Sequence, residues 1–228
     1  MYAKLLRATL LVGLLAISVG SARAQTPLIQ ASGLEKLGGF VDLLAAGNLD
    51  DWQGDTKGYQ LKDGVLACDG GKVLLTKREY CDFELRFEFR LPPAGNNGIA
   101  IRAPAEGNAA FAAMEIQVLD DQHEKYKAWL KPWQHHGSIY GVVPARPAPL
   151  KPTGEWNSQK IMANNSKIQV TVNGTLIVDV DLDEIKEPYV DGKAHPGLHR
   201  KCGHIGFLGH GDRVEFRNVR IREITSQQ

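Results

Sequence analysis

Apolar and polar residues alternate along several short stretches of this chain. In residues 83–90, FELRFEFR, every second residue is apolar and the residues between them are charged. Successive side chains of a β-strand point to opposite faces, so this period of two predicts a strand with one face in a core and one in water. Residues 99–102 and 114–121 repeat the pattern, which predicts further strands there.

Two turn signals connect or interrupt these strands. Asn173-Gly174 separates two alternating runs, and this dipeptide is typical of a hairpin because a type I′ turn needs positive φ at both central residues. Near the end of the chain the apolar positions change parity between Phe216 and Val219, which predicts a β-bulge near Arg217-Asn218.

The pattern as a whole predicts one all-β domain. Many short strands, turn signals and no convincing amphipathic helix favour a jelly-roll β-sandwich of two antiparallel sheets. The chain shows no repeat, linker or shift in composition after its first 32 residues, so we expect a single domain over residues 33–225.

The first 24 residues predict a separate element. Lys4 and Arg7 precede an apolar run at residues 9–20, and Ala22-Arg23-Ala24 then supplies the small residues of a cleavage site. This order predicts a secretory signal peptide over residues 1–24, and hence export to the periplasm or the extracellular medium. The alternative is an uncleaved membrane anchor, for which the apolar run is short.

Net charge and cysteine content bear on the binding partners of the protein and on its disulfide bonds. The formal net charge of +1 becomes −2 without the signal peptide, which contains three basic residues and no acidic one. This near-neutral balance gives no electrostatic case for binding nucleic acid or an anionic membrane. Cys68, Cys81 and Cys202 allow either one disulfide with an odd thiol, as in an oxidising compartment, or three free thiols.

The stretch at residues 114–121, MEIQVLDD, places acids and an amide where strands usually avoid them. By parity its apolar alternate residues share the core face, while Glu115, Gln117 and Asp121 share the other face. Arg102 falls on the corresponding face of the preceding strand, so we expect it beside Glu115 or Gln117. The alternative is a solvated face with a surface ion pair, which would contribute little to stability.

Residues 121–136 follow as a long segment rich in aromatic and histidine side chains. Long loops of this kind are often functional, and the rings of Trp129 and Trp133 offer flat apolar faces on which the C–H groups of a sugar can stack. The alternative is that these tryptophans plug the end of the sandwich. Histidine spacing signals metal binding only weakly, so a divalent metal stays an open alternative and no metal ligand is assigned.

Five motifs, in order along the chain, resemble the 3-keto-disaccharide hydrolase domain family. They are Asn96-Asn97-Gly98-Ile99 with Arg102, E-I-Q-V-L-D-D at 115–121, G-S-I-Y-G-V-V-P at 137–144, G-E-W-N at 154–157, and Gly206 with His210-Gly211 and F-R-N-V at 216–219. One departure stands out, because Leu208-Gly209 stands where the family commonly has Gln-Asp before His-Gly.

The resemblance implies a concanavalin-like sandwich with its site on the concave face of one sheet. It implies cleavage of the glycosidic bond of a sugar that already carries a ketone at C3, by elimination and hydration or by hydrolysis. In this hypothesis Glu115 is the base, His136 or His210 is the acid, and Arg102 stabilises the enolate oxygen. The expected substrate-binding residues are Arg102, Gln117, Asp121, Trp129, Trp133 and Tyr140.

Two other classes of function stay open, because one fold can host many functions. A non-catalytic carbohydrate-binding module would keep the aromatic and hydroxyl-binding residues but need no base or acid. A structural surface domain would bind no glycan. Direct hydrolysis by two carboxylates is disfavoured, because Gln117 and Leu119 follow Glu115 at alternate positions where acids would be needed.

Overall fold

The chain folds into a sandwich of two antiparallel sheets. The computed structural model describes residues 38–225. The signal peptide expected over residues 1–24 and the first residues of the expected domain lie outside that range and stay predictions. Across the described residues, no helix has the length and apolar character needed to cross a membrane.

Thirteen strands build the two sheets within the described residues. The larger sheet contains β1 (Val41–Asp42), β3 (Tyr59–Lys62), β4 (Val65–Cys68), β6 (Phe83–Arg90), β9 (Trp156–Asn164), β10 (Lys167–Val172), β11 (Thr175–Asp181) and β13 (Glu215–Glu223). The smaller sheet contains β2 (Trp52–Gly54), β5 (Val73–Tyr80), β7 (Asn96–Ala103), β8 (Met114–Leu119) and β12 (Gly203–Leu208). The strand orders are β11-β10-β9-β6-β13-β4-β3, with β1 also paired to β13, and β2-β5-β12-β7-β8.

The helices of the described chain are short and lie in connections between strands. They are α1 (Ala109–Ala112), α2 (Glu124–Lys127) and the 3-10 helices Thr56–Gly58, Pro132–Gln134 and Leu182–Glu184. The prediction of an all-β sandwich of two antiparallel sheets is therefore confirmed.

The core lies between the two sheets and is rich in phenylalanine. Phe207 of the smaller sheet contacts Phe216 of the larger sheet with ring centroids 4.4 Å apart, and Phe87, on the strand next to Phe216, meets its ring edge-on at 6.1 Å. All three are buried. Complete burial of such a side chain stabilises the fold by about 1.5–3 kcal/mol, so these contacts hold the sheets together.

Both predicted backbone features are present. Asn173 and Gly174 form the two-residue turn between β10 and β11, with φ of 47° and 83°. The pairing of β13 with β6 shifts register between Arg217 and Arg220, and Asn218 has a φ of 52°. The bulge explains the change of parity, because one inserted residue moves the later side chains to the opposite face.

Arg102 is not beside Glu115 or Gln117, and that prediction is wrong. A register irregularity between β7 and β12, together with a φ of 51° at Arg102, ends the regular alternation of β7 at this residue. The buried guanidinium therefore points to the end of the sandwich, where it donates to Asp82 Oδ1 at 2.9 Å and to the carbonyl oxygens of Cys81 and Asn165. The guanidinium is thus engaged by groups of the fold and does not line the pocket over β7 and β8.

A disulfide lies beside this arginine. Cys81 is bonded to Cys202, so the alternative of one disulfide with an odd thiol holds, and Cys68 is the free and buried cysteine. The bond joins the turn after β5 to the residue before β12, and it thereby attaches the end of the long connection that precedes β12 to the smaller sheet.

Candidate active site

A pocket of about 330 Å³ opens on the outer face of the smaller sheet, over β7 and β8. Glu115 and Gln117 of β8 and Asn96 of β7 form its polar part, and His210 adds to it from the loop after β12. Met114, Ile116 and Val118 of β8 belong to the core between the sheets. The structure therefore places the two faces of β8 as parity predicted.

Two buried acceptor atoms line this pocket without a hydrogen-bond donor in the described structure. They are Glu115 Oε1 and Gln117 Oε1. The amide nitrogen of Gln117 donates to Asn96 Oδ1 at 3.0 Å, and this bond leaves the Gln117 oxygen free to accept. An unsatisfied buried polar group costs about 1–3 kcal/mol, so hydroxyl groups of a ligand or solvent would relieve both atoms.

Gly98 makes room for the Glu115 carboxylate. A Cβ atom at Gly98 would lie 2.1 Å from Glu115 Oε1 and 2.8 Å from its Cδ atom. The carboxylate therefore lies across β7, where any side chain would displace it. This close approach gives a physical reason for the glycine in the Asn96-Asn97-Gly98-Ile99 motif.

His210 is the titratable neighbour of Glu115. Its Nε2 atom lies 4.0 Å from Glu115 Oε1 at the mouth of the pocket, and about half of its side chain is exposed. The nearby Glu115 carboxylate raises the pKa of His210 and the negative charge of Asp212 raises it further, while partial burial of the imidazole lowers it. A protonated histidine beside a carboxylate is a donor–acceptor pair that can perform general acid–base chemistry.

The loop after β8 forms an aromatic wall. Trp129 is 54% exposed although it is large and apolar, and its ring meets that of Tyr126 edge-on at 5.8 Å. Its indole nitrogen donates to the carbonyl oxygen of Lys125, and this bond fixes the ring. Leu130 extends the wall. An exposed, anchored indole is well suited to stack on an apolar ligand face.

Tyr140 closes another side of the pocket. Its backbone nitrogen donates to the carbonyl oxygen of Glu115 at 2.9 Å, so the loop containing the G-S-I-Y-G motif is hydrogen-bonded to β8. The Tyr140 hydroxyl accepts a hydrogen bond from Gln134 Nε2 at 3.0 Å. The hydroxyl hydrogen is then available for a ligand.

Lys193 brings a positive charge to the rim from the connection before β12. Its ammonium group lies 5.1 Å from the ring centroid of Phe111, which also lines the pocket. The Lys193 backbone nitrogen donates to Asp191 Oδ1, and Asp191 Oδ2 lies 3.0 Å from His195 Nε2 in a buried pair. This pair packs against Gly141 and thereby fixes the loop that carries Lys193.

His136 lies behind β8 rather than in the pocket. Its Nδ1 atom accepts from the backbone nitrogen of Leu119, so the ring hydrogen is on Nε2 and donates to Gln159 Oε1. The ring stacks on Phe89 in the core, and burial lowers its pKa to about 4. A neutral, enclosed imidazole cannot reach a ligand, so the prediction that placed His136 in the site is wrong.

Asp121 and Trp133 also lie away from the pocket lining. Asp121 comes after the end of β8, and its Oδ2 atom accepts from the backbone nitrogen of His136 and lies 3.0 Å from His135 Nδ1. Trp133 is half-buried in the 3-10 helix Pro132–Gln134. Of the residues expected to bind substrate, the structure brings Gln117, Trp129 and Tyr140 together with Glu115 and His210.

Sequence reasoning missed other residues of the lining, notably Asn96, Phe111 and Lys193. Asn96 could have been found, because it shares parity with Gly98 and Ala100 on the strand that neighbours Glu115. Phe111 and Lys193 lie in connections without periodicity, and no local pattern indicates their place.

The departure at Leu208-Gly209 has a structural explanation. Leu208 packs with Leu75, Ala100, Ala103 and Ala113 in a small apolar cluster on the same outer face as the pocket. A Cβ atom at Gly209 would lie 2.2 Å from the carbonyl oxygen of Gly71 and 2.7 Å from the sulfur of Cys68. An aspartate does not fit at this position of the chain.

Potential metal ligands do not gather in the described structure. Between residues 38 and 225, no group of three or more histidine, cysteine, aspartate or glutamate side chains is placed to hold a metal ion.

The two antiparallel sheets and the pocket define a β-sandwich protein with a polar and aromatic site on the outer face of one sheet. The chain belongs to the family of the 3-keto-alpha-glucoside-1,2-lyase-like domain, whose model matches residues 39–222. A curated relative, the 3-keto-disaccharide hydrolase of Bacteroides thetaiotaomicron, is 27% identical over 226 residues, which cover 81% of this chain and 78% of the relative.

Two solved structures from Parabacteroides distasonis, both named as candidate glycosyl hydrolases, have the same fold. One is 28% identical with a TM-score of 0.70 and covers 81% of this chain and 99% of its own. The other is 25% identical with a TM-score of 0.72 and covers 84% of this chain and 96% of its own.

Proposed function

We propose that the protein cleaves the glycosidic bond of 3-keto-glycosides by 1,2-elimination, followed by addition of water to the resulting glycal. The observation that carries the proposal is the open pocket in which Glu115 has an unsatisfied carboxylate oxygen and His210 as its neighbour. Family membership and the name of the Bacteroides thetaiotaomicron relative supply the substrate class.

A ketone at C3 makes the C2 proton acidic, because the enolate spreads its charge onto the ketone oxygen. Glu115 removes the C2 proton, the C1–O bond breaks as the enolate collapses, and His210 gives its proton to the leaving oxygen. Water then adds at C1 while neutral His210 takes a proton from it, and Glu115 returns a proton to C2. Both residues regain their starting states, so the proton balance closes.

Lys193 is the proposed partner of the enolate oxygen, the role that sequence reasoning gave to Arg102. It is a cation on the pocket lining, whereas the Arg102 guanidinium is engaged at the end of the sandwich. Removing one such donor from an oxyanion site typically lowers kcat by about 10²–10³-fold. The Trp129 wall and Tyr140 would hold the sugar and its leaving group.

The test is to incubate the purified protein with α- and β-linked 3-keto-glucosides in D₂O, with and without a chelator. The carboxyl proton that Glu115 takes from C2 exchanges with D₂O before a proton returns to C2, so elimination and hydration predict an ultraviolet-absorbing enone intermediate and deuterium at C2 of the product. A control without enzyme measures spontaneous exchange at C2. Cleavage with neither the enone nor deuterium above this control would support direct hydrolysis instead, and loss of activity with chelator would show a need for metal.

The second candidate function is a non-catalytic carbohydrate-binding module, which the exposed and anchored Trp129 favours. A binding module would retain unoxidised glycans and turn over no 3-keto substrate. Calorimetry with unoxidised disaccharides, run beside the turnover assay, separates the two.

We also propose that the chain is exported to the periplasm or the medium after cleavage of residues 1–24. The disulfide between Cys81 and Cys202 supports this proposal, because disulfides persist in oxidising compartments. Fractionation and N-terminal sequencing test it. A protein that stays in the cytosol with Met1 intact would contradict it.

A further inference from the structure

The outer face of the larger sheet carries a row of three basic residues. Arg86 of β6 lies directly opposite Lys160 of β9 on one side and opposite Arg220 of β13 on the other. All three side chains lie on the face of the sheet that is turned away from the core. The core-facing residues of β6, which alternate with Arg86, are phenylalanines and a leucine. Like charges directly opposite on neighbouring strands are destabilising, so an isolated row of this kind is unfavourable.

The neighbouring rows of the same three strands do not share this excess of positive charge. Arg217 Nε donates to Glu88 Oε2, Arg90 pairs with Glu215, and Glu84 is shared by Arg86 and Arg222. The charged residues on this face of β6, β9 and β13 are the basic Arg86, Arg90, Lys160, Arg217, Arg220 and Arg222 and the acidic Glu84, Glu88 and Glu215. Every one of these acids is already engaged by an arginine.

Lys160 and Arg220 are the basic side chains of this face that have no acidic partner within the described residues. Neither forms a side-chain hydrogen bond or ion pair with any residue of the described chain, and Arg220 Nε is a buried donor without an acceptor. Asp42 of β1 lies opposite Arg220, yet its carboxylate accepts from the backbone nitrogen of Leu44 and forms no ion pair with the arginine within the described range. Lys160 and Arg220 thus have no ion-pair partner within the described residues.

These side chains border a depression of about 270 Å³. Arg86, Lys160 and Arg220 line it together with the hydroxyl groups of Ser158 and Thr171. Glu88 is also part of the lining, and its carboxylate is held by Arg217. The depression therefore combines cationic donors, hydroxyl donors and one acceptor, and its volume admits a small anion with part of a sugar ring.

We propose that this depression, the cationic row site, binds an oxyanion: a sulfate, a phosphate or the carboxylate of an acidic sugar. Arginine and lysine side chains donate charge-assisted hydrogen bonds to such groups. The anion would satisfy Arg220 Nε and neutralise the repulsion across β9, β6 and β13. The site lies on the opposite sheet from the pocket that contains Glu115, so it is a binding site separate from the candidate active site and independent of the proposed function.

The test is calorimetric titration of the purified protein at low salt with inorganic sulfate, inorganic phosphate, glucuronate and, as the uncharged counterpart, glucose. We expect saturable binding of at least one oxyanion, no binding of glucose at this site, and weakening as salt is added, because salt screens exposed charges. Binding of glucuronate in preference to the inorganic ions would identify an acidic sugar as the source of the anion. The reverse preference would identify free sulfate or phosphate.

Lys160→Gln and Arg220→Gln locate the site, with Arg78→Gln as the matched control. Arg78 is an exposed arginine of β5 whose partner is Glu223, away from the depression. Each of the first two variants should lower the oxyanion affinity by about tenfold or more, whereas the control should bind like the parent protein. If Arg220→Gln fails to fold, Lys160→Gln alone decides.

Two outcomes would overturn the proposal. One is the absence of saturable binding of any of the three oxyanions at low salt. The other is an affinity that Lys160→Gln and a folded Arg220→Gln leave unchanged, because the anion would then bind elsewhere. Circular dichroism and thermal melting confirm that each variant is folded before its affinity is compared.

Discussion

Strands β6 and β8 have the same alternation of apolar and polar residues, but their polar faces differ in what they contact. On β6 the acids Glu84 and Glu88 are paired with arginines of the same sheet. On β8 the Oε1 atoms of Glu115 and Gln117 are buried beside an open pocket and have no donor within the described residues. The first face is satisfied by its neighbours, whereas the second is arranged to be satisfied by a ligand.

The difference shows what alternation can and cannot indicate. A period of two assigns each side chain to a face, because neighbouring residues of a strand point in opposite directions. It does not tell whether a carboxylate on that face will find a partner. Glu84 and Glu88 are paired with arginines of β6 itself and of β13, and the β13 arginines are more than 120 residues away in the chain. The neighbour of Glu115 is His210, which lies in a loop.

The largest effect is expected from Glu115→Gln. This change keeps the size of the side chain and removes the charge, so binding of the sugar should persist while kcat for 3-keto-glucosides falls by about 10²–10⁴-fold. Stopped-flow or product assays measure kcat, and thermal melting checks the fold. Turnover at the parent rate would show that Glu115 is not the base.

Arg102→Met tests the opposite expectation, a large effect on stability without a direct effect on chemistry. Removing the guanidinium takes one donor from Asp82 and from the carbonyl oxygens of Cys81, Asn165 and Arg200 at the end of the sandwich. Breaking a buried pair typically costs about 3–5 kcal/mol of unfolding free energy. Urea denaturation measures this cost. At a temperature where the variant is folded, kcat should match the parent, and a selective loss of kcat would restore Arg102 to the site.

Gly98→Ala separates the position of the Glu115 carboxylate from its presence. The added methyl group would clash with Oε1 and Cδ of Glu115, so the carboxylate must move. A displacement of about 1 Å can lower the rate about 10²-fold, and we expect a loss of this order in kcat with the carboxylate still present. Ala100→Gly, on the same strand face, is the control. Equal activity of Gly98→Ala and the parent would mean that the carboxylate has freedom that the structure does not show.

The pH dependence of the reaction should report His210. Its pKa is raised in the folded protein, so the protonated acid is present below that raised pKa and activity falls as the pH rises through it. The same group stabilises the fold below its unfolded pKa of about 6.5, and this contribution is lost as the pH rises through the folded pKa. Asp212→Asn removes a charge that raises the pKa, so the alkaline limb should move to lower pH. An unmoved limb would assign it to another group.

The sequence predicts the parts of the fold that depend on local pattern. Strand parity, the Asn173-Gly174 hairpin and the bulge at Arg217-Asn218 all follow from neighbouring residues, and the structure confirms them. The position of Arg102 does not follow, because an irregular pairing of β7 with β12 redirects it. Nothing local indicates that Lys193 would reach the pocket from a connection without periodicity.

Among the candidate site residues, the sequence distinguishes His210 from His136 poorly. His210 belongs to one of the family motifs, and His136 ends the aromatic segment and precedes another motif. His210 faces the pocket, whereas His136 stacks on Phe89 in the core. Two consecutive histidines in a loop have no parity from which burial could be inferred. Only the tertiary contacts distinguish His210, the exposed general acid of the proposed mechanism, from the buried His136.

The smallest effect is expected from Glu88→Gln, which breaks the paired face of β6 for comparison with Glu115→Gln on β8. The Glu88 carboxylate is partly exposed and bonded to Arg217, and pairs of this kind contribute about 0.2–1 kcal/mol to stability. Thermal melting should show a decrease of that order, and kcat should be unchanged because Glu88 lies on the other sheet. The same isosteric change would then produce nearly no effect on β6 and a large one on β8. A comparable loss of kcat in both variants would mean that the two polar faces do not differ in function.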